Sequence, residues 1–408
     1  MRYFIILLGI LITLSCKAQN VNIVSPWLKA RILATNTTTD LRAKDLDGNW
    51  LKIDQNNDGE IQVSEALNVK EYVDANGGYI ATYDGMNSFI NLQRLSFAYN
   101  QTPAGLNLSG LSNLKYLNCY MNSLTSLNLN GCNSLEDIYL DQNYITTLDV
   151  SGISTLKQLN CQNNDLTSIN LNSTPSLINI LCFSNNITSL NLDNHANLEV
   201  LNCSGNSLTN LTFNNCPSLT LLSCDSNNLQ TLDVNSSTNL IEIYCGYNHL
   251  QNLNVSNCLL LNHLDCVNNN LINLNINNGF NWIPSYDYTG SFRGYQNSSI
   301  SQVCTSTDSV ANILSYYSSF TSNVSNCTVL NLNENEITKI LFYPNPATDK
   351  IRFVDVIELI TIYDLKGILV KKDNLNTREM DISELSAGLY ILKIQFKGKT
   401  TFGKLIIQ

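Results

Sequence analysis

The chain has 408 residues, of which 44% are hydrophobic and only 14% charged, and its 33 acidic against 23 basic residues give a net charge of −10 at pH 7. The charged fraction lies well below the ~25% of average globular domains, and the acidic balance argues against nucleic-acid binding, which needs clustered Lys and Arg. The apolar content excludes a disordered chain. The role of the 13 cysteines stays open at this level, because position and not number separates disulfides, metal ligands and packing residues.

Residues 1–18 are predicted to be a secretory signal peptide. A basic start at Arg2 precedes an apolar run at residues 4–14, and the segment ends at a small residue, Ala18. This order is typical of a signal that is removed on export, and the run is too short for a membrane anchor. Cleavage after Ala18 is the preferred interpretation, and the alternative is a lipoprotein signal acylated at Cys16. The mature chain is therefore expected to lack a transmembrane segment and to leave the reducing cytoplasm.

A calcium loop is predicted inside an N-terminal cap that spans residues 19–88. Residues 54–65 fit the pattern D-x-[DN]-x-[DN]-G-x5-E at every constrained position. The segment resembles an EF-hand loop, and a single loop favours structural Ca²⁺ over a signalling switch. The alternative is an acidic turn without an ion. The resemblance implies these ligands: Asp54, Asn56, Asp58, the backbone carbonyl of Glu60, Gln62 through water, and Glu65 with two oxygens.

A 21-residue repeat organises residues 89–279. Leucine returns at a constant interval, and asparagine fills a second column: Leu114, Leu135, Leu156, Leu177, Leu198, Leu219, Leu240 and Leu261, with Asn122, Asn143, Asn164, Asn185, Asn206, Asn227, Asn248 and Asn269. The pattern resembles the leucine-rich repeat family, at the short end of its ~20–29-residue range. It is similar to the Cys- and Asn-rich variety that is common in secreted bacterial surface proteins.

The repeat predicts short parallel strands stacked about 4.8 Å apart. Because side chains alternate along a strand, Leu117 and Cys119 are expected to point inward, and Tyr116, Asn118 and Tyr120 outward. The resemblance implies an α/β-type solenoid dominated by β, a horseshoe of parallel short strands with a helical N-terminal cap. Each Asn of the second column is expected to bond backbone groups of its own or the next coil.

Ten cysteines are predicted to be packing residues. Seven share one inward column and three share a second column: Cys119, Cys161, Cys182, Cys203, Cys224, Cys245 and Cys266, then Cys132, Cys216 and Cys258. The inward column also accepts Leu140 and Phe97, so its thiols are interpreted as small buried hydrophobic groups. A metal or redox ladder is the alternative, but metal sites need converging ligands with help from His or carboxylates.

A C-terminal cap is predicted at residues 280–335. Cys304 and Cys327 lie there, beyond the repeats, in a non-repetitive segment. They are predicted to form a disulfide that stabilises the cap by ~2–4 kcal/mol.

Residues 338–408 are predicted to form a small C-terminal antiparallel β-sandwich, since short alternating runs are separated by polar turns. Four motifs follow one another: Tyr343-Pro344-Asn345-Pro346-Ala347, Ile362-Tyr363-Asp364-Leu365-Lys366-Gly367, Leu385-Ser386-Ala387-Gly388-Leu389-Tyr390 and Gly403-Lys404-Leu405. Together they resemble the type A C-terminal sorting domain of the type IX secretion system. The resemblance implies a Bacteroidota lineage, passage across the outer membrane through that machinery, removal of the domain, and release or surface attachment of the rest.

The outward strand face, on the concave side of the horseshoe, is the expected functional surface. Its aromatic, amide and carboxylate side chains suit a protein or glycan ligand. The residues expected to contact that ligand are Tyr116, Tyr120, Tyr139, Asp141, Phe183, Asp225, Tyr244 and Asp265. Anionic ligands are disfavoured, because only Arg94, Lys115 and Lys157 oppose 11 acidic residues within residues 89–281.

The chain is therefore predicted to be a secreted or surface-displayed binding protein and not an enzyme. The three histidines, His195, His249 and His263, occupy different repeat positions, and none lies near a candidate nucleophile. The alternatives are a structural surface component without a specific ligand and a calcium-dependent hydrolase. The lack of a nucleophile–base pair or carboxylate pair argues against the hydrolase.

Overall fold

The computed structural model describes residues 19–74, 77–100, 102, 105–287, 289–317, 324–325, 342–343, 347–364, 369–373, 377–396 and 399–407. The predicted signal peptide, with Cys16, lies outside the described residues. The chain divides into two compact units, Met1–Asn326 and Cys327–Gln408. In the described part, no helix combines the length and the apolar character that a membrane span requires.

A 12-stranded sheet, the main sheet, runs through the first unit. Its strands in spatial order are Ala43–Lys44, Glu71–Val73, Arg94–Ser96, Tyr116–Asn118, Asp137–Tyr139, Gln158–Asn160, Asn179–Leu181, Val200–Asn202, Leu221–Ser223, Glu242–Tyr244, His263–Asp265 and Phe292–Arg293. The first pair is antiparallel, with Ala43 opposite Tyr72, and every later pair is parallel. The predicted solenoid of stacked parallel strands is confirmed.

The central residue of each repeat strand explains why these short segments stack. It is Leu or Ile and is 0% exposed in every coil: Leu117, Ile138, Leu159, Ile180, Leu201, Leu222, Ile243 and Leu264. Pairing sets these residues directly opposite one another, for instance Ile180 opposite Leu159 and Leu201. Full burial of such a side chain contributes about 1.5–3 kcal/mol. The stack therefore has one continuous apolar column, as predicted.

Asparagine side chains make the hydrogen bonds that the turning backbone cannot make to itself. The Asn185 amide nitrogen Nδ2 donates to the carbonyls of Cys161 and Cys182 at 3.0 Å each, and Oδ1 accepts from the Leu166 N–H at 3.0 Å. Cys161 and Leu166 belong to the preceding coil, so the side chain joins two coils. The residue before it, Ser184, has a φ of 54°, which reverses the chain. The predicted role of this column is confirmed.

A second row of short parallel strands follows the Asn turns. Its members pair as Leu106–Asn107 with Leu127–Asn128, Thr147–Asp149 with Ser168–Asn170, Ser189–Asn191 with Asn210–Thr212, and as a four-stranded sheet of Asn252–Asn254, Asn273–Asn275, Gln302–Cys304 and Val324–Ser325. The stack thus continues past residue 279, where the repeat pattern in the sequence ends.

All ten cysteines of the two repeat columns are free and buried. Burial raises the pKa of the Cys182 thiol to about 12, and it raises the pKa of Cys132 and of Cys258 to about 11. A thiol that stays neutral is a weak nucleophile and a poor metal ligand, which supports the packing interpretation. Cys304 is disulfide-bonded, and its predicted partner, Cys327, lies outside the described residues.

Helices lie at the ends of the stack. Pro26–Leu33 begins at Ser25, whose Oγ accepts from the Leu28 N–H at 3.3 Å. A single-turn helix, Val63–Ala66, and a 3₁₀ turn, Met86–Ser88, complete the N-terminal cap, and Thr307–Tyr316 lies at the other end. The N-terminal cap is helical as predicted, but it also contributes the first two strands of the main sheet.

The second unit consists of two antiparallel sheets. One contains Phe342–Tyr343, Lys350–Ile357 and Thr377–Asp381, and the other contains Leu369–Asp373, Leu359–Tyr363, Gly388–Phe396 and Lys399–Ile407. Residues of both sheets share one apolar cluster that includes Ile351, Phe353, Ile360, Leu392 and Leu405. The predicted antiparallel sandwich is confirmed.

Candidate functional site

The outward side chains of the main sheet form a surface that we name the strand face. Each coil contributes three residues: the first and the third residue of its strand, and the residue two positions after the end of that strand. The members are Arg94, Ser96, Ala98, Tyr116, Asn118, Tyr120, Asp137, Tyr139, Asp141, Gln158, Asn160, Gln162, Asn179, Leu181, Phe183, Val200, Asn202, Ser204, Leu221, Ser223, Asp225, Glu242, Tyr244, Gly246, His263, Asp265 and Val267. All the predicted ligand residues belong to it. Six members are buried: Ser96, Ala98, Ser223, Gly246, Asp265 and Val267. Neighbouring strands place equivalent residues about 4.8 Å apart.

The first coils make the strand face aromatic. The Arg94 guanidinium carbon lies 3.6 Å from the centroid of the Tyr116 ring, and the ring centroids of Tyr116 and Tyr139 are 5.5 Å apart. Tyr120 meets Tyr99 edge to face at 5.1 Å. These contacts order the rings, so this region offers rigid, amphipathic contact area at low entropic cost.

The middle coils contribute apolar residues to the strand face. Leu181, Phe183, Val200 and Leu221 are half-buried and lie on three successive strands, and we name these four residues the apolar centre. Strand pairing sets Val200 directly opposite Leu221. Of these four residues, only Phe183 is among the predicted ligand residues, and the column positions of the other three would have located them. The register sets Val200 opposite Asn179 and Leu181 opposite Asn202, so the four residues form two apolar pairs on diagonal positions. Exposed apolar groups gathered in this way often mark a contact site.

The last coils contribute acidic residues to the strand face. The Asp225 carboxylate accepts from the Ser204 hydroxyl at 2.6 Å and from the Ser223 hydroxyl at 3.3 Å. The Tyr244 hydroxyl donates to Glu242 Oε2 at 2.8 Å. The neighbouring hydroxyls therefore orient both carboxylates while leaving their charge uncompensated.

Asp265 is placed differently from the other predicted ligand residues. It is only 6% exposed, and its carboxylate pairs with Arg293, which lies on the last strand of the main sheet. Burial raises the pKa of Asp265 although Arg293 acts in the opposite direction. This pair attaches the last strand to the stack, which makes Asp265 a structural residue first.

The cations of the strand face have partners, whereas four of its carboxylates have no ion-pair partner among the described residues. Arg94 covers Tyr116, Arg293 pairs with Asp265, and at the edge Lys157 pairs with Glu136 at 2.7 Å. Among the described residues, no ion pair within 4.0 Å involves Asp137, Asp141, Asp225 or Glu242. Burial raises the pKa of Asp137, with a contribution from Glu136, and also that of Asp141.

Two buried carboxylates close the predicted calcium loop. Asp54 and Glu65 are each 6% exposed. Glu65 accepts from the backbone N–H groups of Gln55 at 2.8 Å and Gln62 at 3.0 Å, and Asp54 accepts from that of Asp58 at 3.2 Å. Neither carboxylate has a Lys or Arg partner in the ion pairs of the described residues. Burial of unpaired charge is costly, so both groups fit a cation.

The other oxygens of the loop bond to one another. The Asn56 amide donates to Asp58 Oδ2 at 3.1 Å and to Gln62 Oε1 at 2.9 Å, and the Gln62 amide donates to Asp58 at 2.9 Å. The Glu60 side chain pairs with Lys29, so the backbone carbonyl oxygen of Glu60 is the group that remains available as a metal ligand. No three His, Cys, Asp or Glu side chains in the described ranges converge closely enough to hold a metal. Ca²⁺ would therefore have to replace amide–carboxylate bonds with direct oxygen contacts.

The histidines do not build a reaction centre in the part of the chain that is described. His195 is buried, with Nδ1 3.0 Å from the Leu192 carbonyl oxygen and Nε2 3.1 Å from Thr174 Oγ1. Thr174 is only 1% exposed, so no substrate meets this contact. His263 lies on the strand face with its ring centroid 5.0 Å from that of Tyr244, and His249 lies elsewhere, at an exposed position outside the strands.

The C-terminal unit matches a known family. Residues 341–408 match the family described as the secretion system C-terminal sorting domain. This domain belongs to the type IX secretion system and directs the chain to secretion or to the outer cell surface. The family is a sorting family and not a catalytic one.

Solved structures similar to this chain include leucine-rich repeat proteins. The functional domain of InlJ from Listeria monocytogenes, which includes a cysteine ladder, is 18% identical over 86% of this chain and 93% of its own, with a TM-score of 0.47. InlP from Listeria monocytogenes is 20% identical over 87% and 92%, with a TM-score of 0.43. YopM from Yersinia enterocolitica is 21% identical over 53% and 51%, with a TM-score of 0.35. A comparison with curated proteins finds no significant match.

Proposed function

We propose that this chain is an exported binding protein that recognises a protein or glycan partner through the strand face. The sorting domain supports the exported part of this proposal. One observation carries the binding part: the strands keep the same inward residues from coil to coil while their outward residues change. The third column, for example, passes from Tyr139 through Asn160 to Leu181 and Tyr244.

The kinds of residue on the strand face support recognition over simple solvation. If the surface only had to remain soluble, small polar side chains would be sufficient at these positions. This face instead exposes ordered tyrosines, the apolar centre and oriented carboxylates, and aromatic residues are enriched where proteins contact partners. We therefore assign the contact role to Tyr116, Tyr139, Phe183, Asp225 and Tyr244.

Binding of the full-length protein to arrayed glycans and to purified surface proteins tests the proposal. Tyr139→Ala and Tyr244→Ala should each weaken binding about tenfold, because truncation of an anchoring aromatic costs more than 1 kcal/mol. Tyr144→Ala is the matched control, since Tyr144 is 57% exposed and lies outside the strand face.

Three outcomes would contradict the proposal. Equal binding by all three variants would place the site elsewhere. Absence of binding to every probe would favour a structural surface component without a specific ligand. Turnover of a probe would favour an enzyme.

We also propose that residues 54–65 bind a structural Ca²⁺. The two buried, unpaired carboxylates and the oxygen-rich ligand positions support this assignment. The Ile61 carbonyl accepts from the Val21 N–H at 2.7 Å, and the Ile61 side chain is 1% exposed. The ion would therefore stabilise the N-terminal cap, and extracellular sites of this kind bind at ~10⁻⁴–10⁻³ M.

Thermal unfolding with and without Ca²⁺ tests the second proposal. At a concentration ten times the dissociation constant, Ca²⁺ should stabilise the protein by about 1.4 kcal/mol and raise the melting temperature. Glu65→Gln should abolish that rise. Asp45→Asn, in an acidic turn at residues 45–48 that lacks a closing acid, should leave it intact. A rise that persists in Glu65→Gln, or no rise in the unaltered protein, would overturn the calcium site.

A further inference from the structure

We propose that the partner of the strand face is a polypeptide segment with an apolar middle flanked by Lys or Arg. The inference rests on the proposed binding function and specifies its ligand. It draws on two features of the strand face: its uncompensated carboxylates, and the apolar centre that lies between them.

The charge of the strand face favours a cationic partner. Asp137, Asp141, Asp225 and Glu242 have no counter-ion within 4.0 Å in the described residues. The nearby cations are held by other partners: Arg94 is stacked on a ring and Arg293 holds Asp265. Arg94 and Lys157 lower the pKa of Asp137 from a distance, but burial outweighs them. When a partner covers the face, these four carboxylates lose water, and positive groups from the partner offset that loss more fully than neutral hydrogen-bond donors do.

The apolar centre favours a polypeptide over a glycan. Leu181, Val200 and Leu221 are aliphatic, and Phe183 is the one ring among the four residues of this set. Sugars present hydroxyl groups that aliphatic surface cannot satisfy, and they stack best on flat aromatic rings. Leu, Val and Phe side chains of a protein partner, in contrast, release water from both surfaces when they pack there.

The register of the main sheet gives the spacing of the basic groups. Asp141 follows the strand Asp137–Tyr139, and Asp225 follows Leu221–Ser223, four strand steps away. At about 4.8 Å per step, the two carboxylates are about 19 Å apart along the stack. An extended segment spans that distance in about six residues, and a helix spans it in about thirteen. Leu181, Phe183 and Val200 lie in coils between the two acids, and Leu221 lies on the strand that precedes Asp225.

Selection from a random-peptide display library tests the inference. The bait is the full-length protein, compared with a variant that carries Asp137→Asn, Asp141→Asn, Asp225→Asn and Glu242→Gln. These changes keep side-chain shape and remove the charge. Asp165→Asn, an exposed acid outside the strand face, is the matched control. Circular dichroism and the melting temperature confirm that each bait is folded.

The expected peptides carry Lys or Arg on both sides of an apolar stretch, at one of the two spacings. Synthetic copies should bind the quadruple variant at least about tenfold more weakly than the unaltered protein, bind the Asp165→Asn control equally, and lose affinity as salt rises. Peptides without basic residues, equal binding by the quadruple variant, or no enrichment would each overturn the inference.

The same baits on a glycan array separate this inference from the proposed function. Glycan binding that Tyr139→Ala abolishes, with no peptide enrichment, would overturn the polypeptide partner and leave the binding role of the strand face standing. Absence of both peptide and glycan binding would overturn both.

Discussion

The two sides of each repeat strand follow different rules. On the inward side, the central residue is Leu or Ile in every coil from Leu117 to Leu264 and is fully buried. On the outward side, the neighbouring residue changes from Tyr139 to Leu181 to Tyr244. Alternation along a strand separates the two sides, so the fold constrains the first and leaves the second free for recognition. The predictions below test how complete that separation is.

The largest expected effect comes from two adjacent leucines that point to opposite sides. Leu222 is 0% exposed, whereas Leu221 is half-buried on the strand face. Leu222→Ala should lower the free energy of unfolding by about 2–5 kcal/mol, because it opens a cavity in the stack. Leu221→Ala should lower it by less than about 1 kcal/mol. Denaturant unfolding of both variants measures the difference, and equal losses would contradict the inward–outward separation.

The next effect comes from two adjacent asparagines. Asn185 is buried and joins two coils, and Asn186 is exposed. Asn185→Ala should cost about 1–3 kcal/mol for each buried backbone group that it leaves unpaired. Asn186→Ala should change stability by less than about 0.5 kcal/mol. Chemical denaturation again provides the measurement. An Asn185→Ala protein of unchanged stability would contradict the role of the Asn185 side chain, because it would show that water replaces its hydrogen bonds.

A smaller effect concerns the thiols of the inward column. In the folded protein at pH 8 they should resist iodoacetamide, and all ten free thiols of the repeat columns should react once the chain is unfolded. Fast labelling of the native protein would contradict the packing role. Burial raises the pKa of Cys182 to about 12, so its stabilising contribution is complete below the unfolded thiol pKa of about 8.5. That contribution is lost as the pH rises through 12.

The sequence predicts the repeat strands well because each coil faces the same environment. A 21-residue period marks Leu117 and its equivalents as core, and the sorting motifs mark the C-terminal sandwich. Prediction fails where the period breaks. Arg293 lies on a strand that follows an irregular segment, and it pairs with Asp265 on the neighbouring strand. The repeat period ends before this segment, so the sequence pattern does not predict the position of Arg293.

The N-terminal cap shows the same limit. Ala43–Lys44 is only two residues long, and it joins the sheet through long-range pairing with Glu71–Val73. A segment this short has no periodicity of its own, so its position depends on tertiary contacts. The calcium loop differs, because its ligand pattern is local, and the sequence motif alone supplies the candidate residues.

Joint measurement of stability and binding in Tyr139→Ala and Tyr244→Ala tests the central claim most directly. Both residues are half-buried on the outward side. The account predicts that ligand binding weakens about tenfold while the free energy of unfolding changes by less than about 1 kcal/mol. Unaltered binding, or a loss of stability as large as that expected for Leu222→Ala, would contradict it.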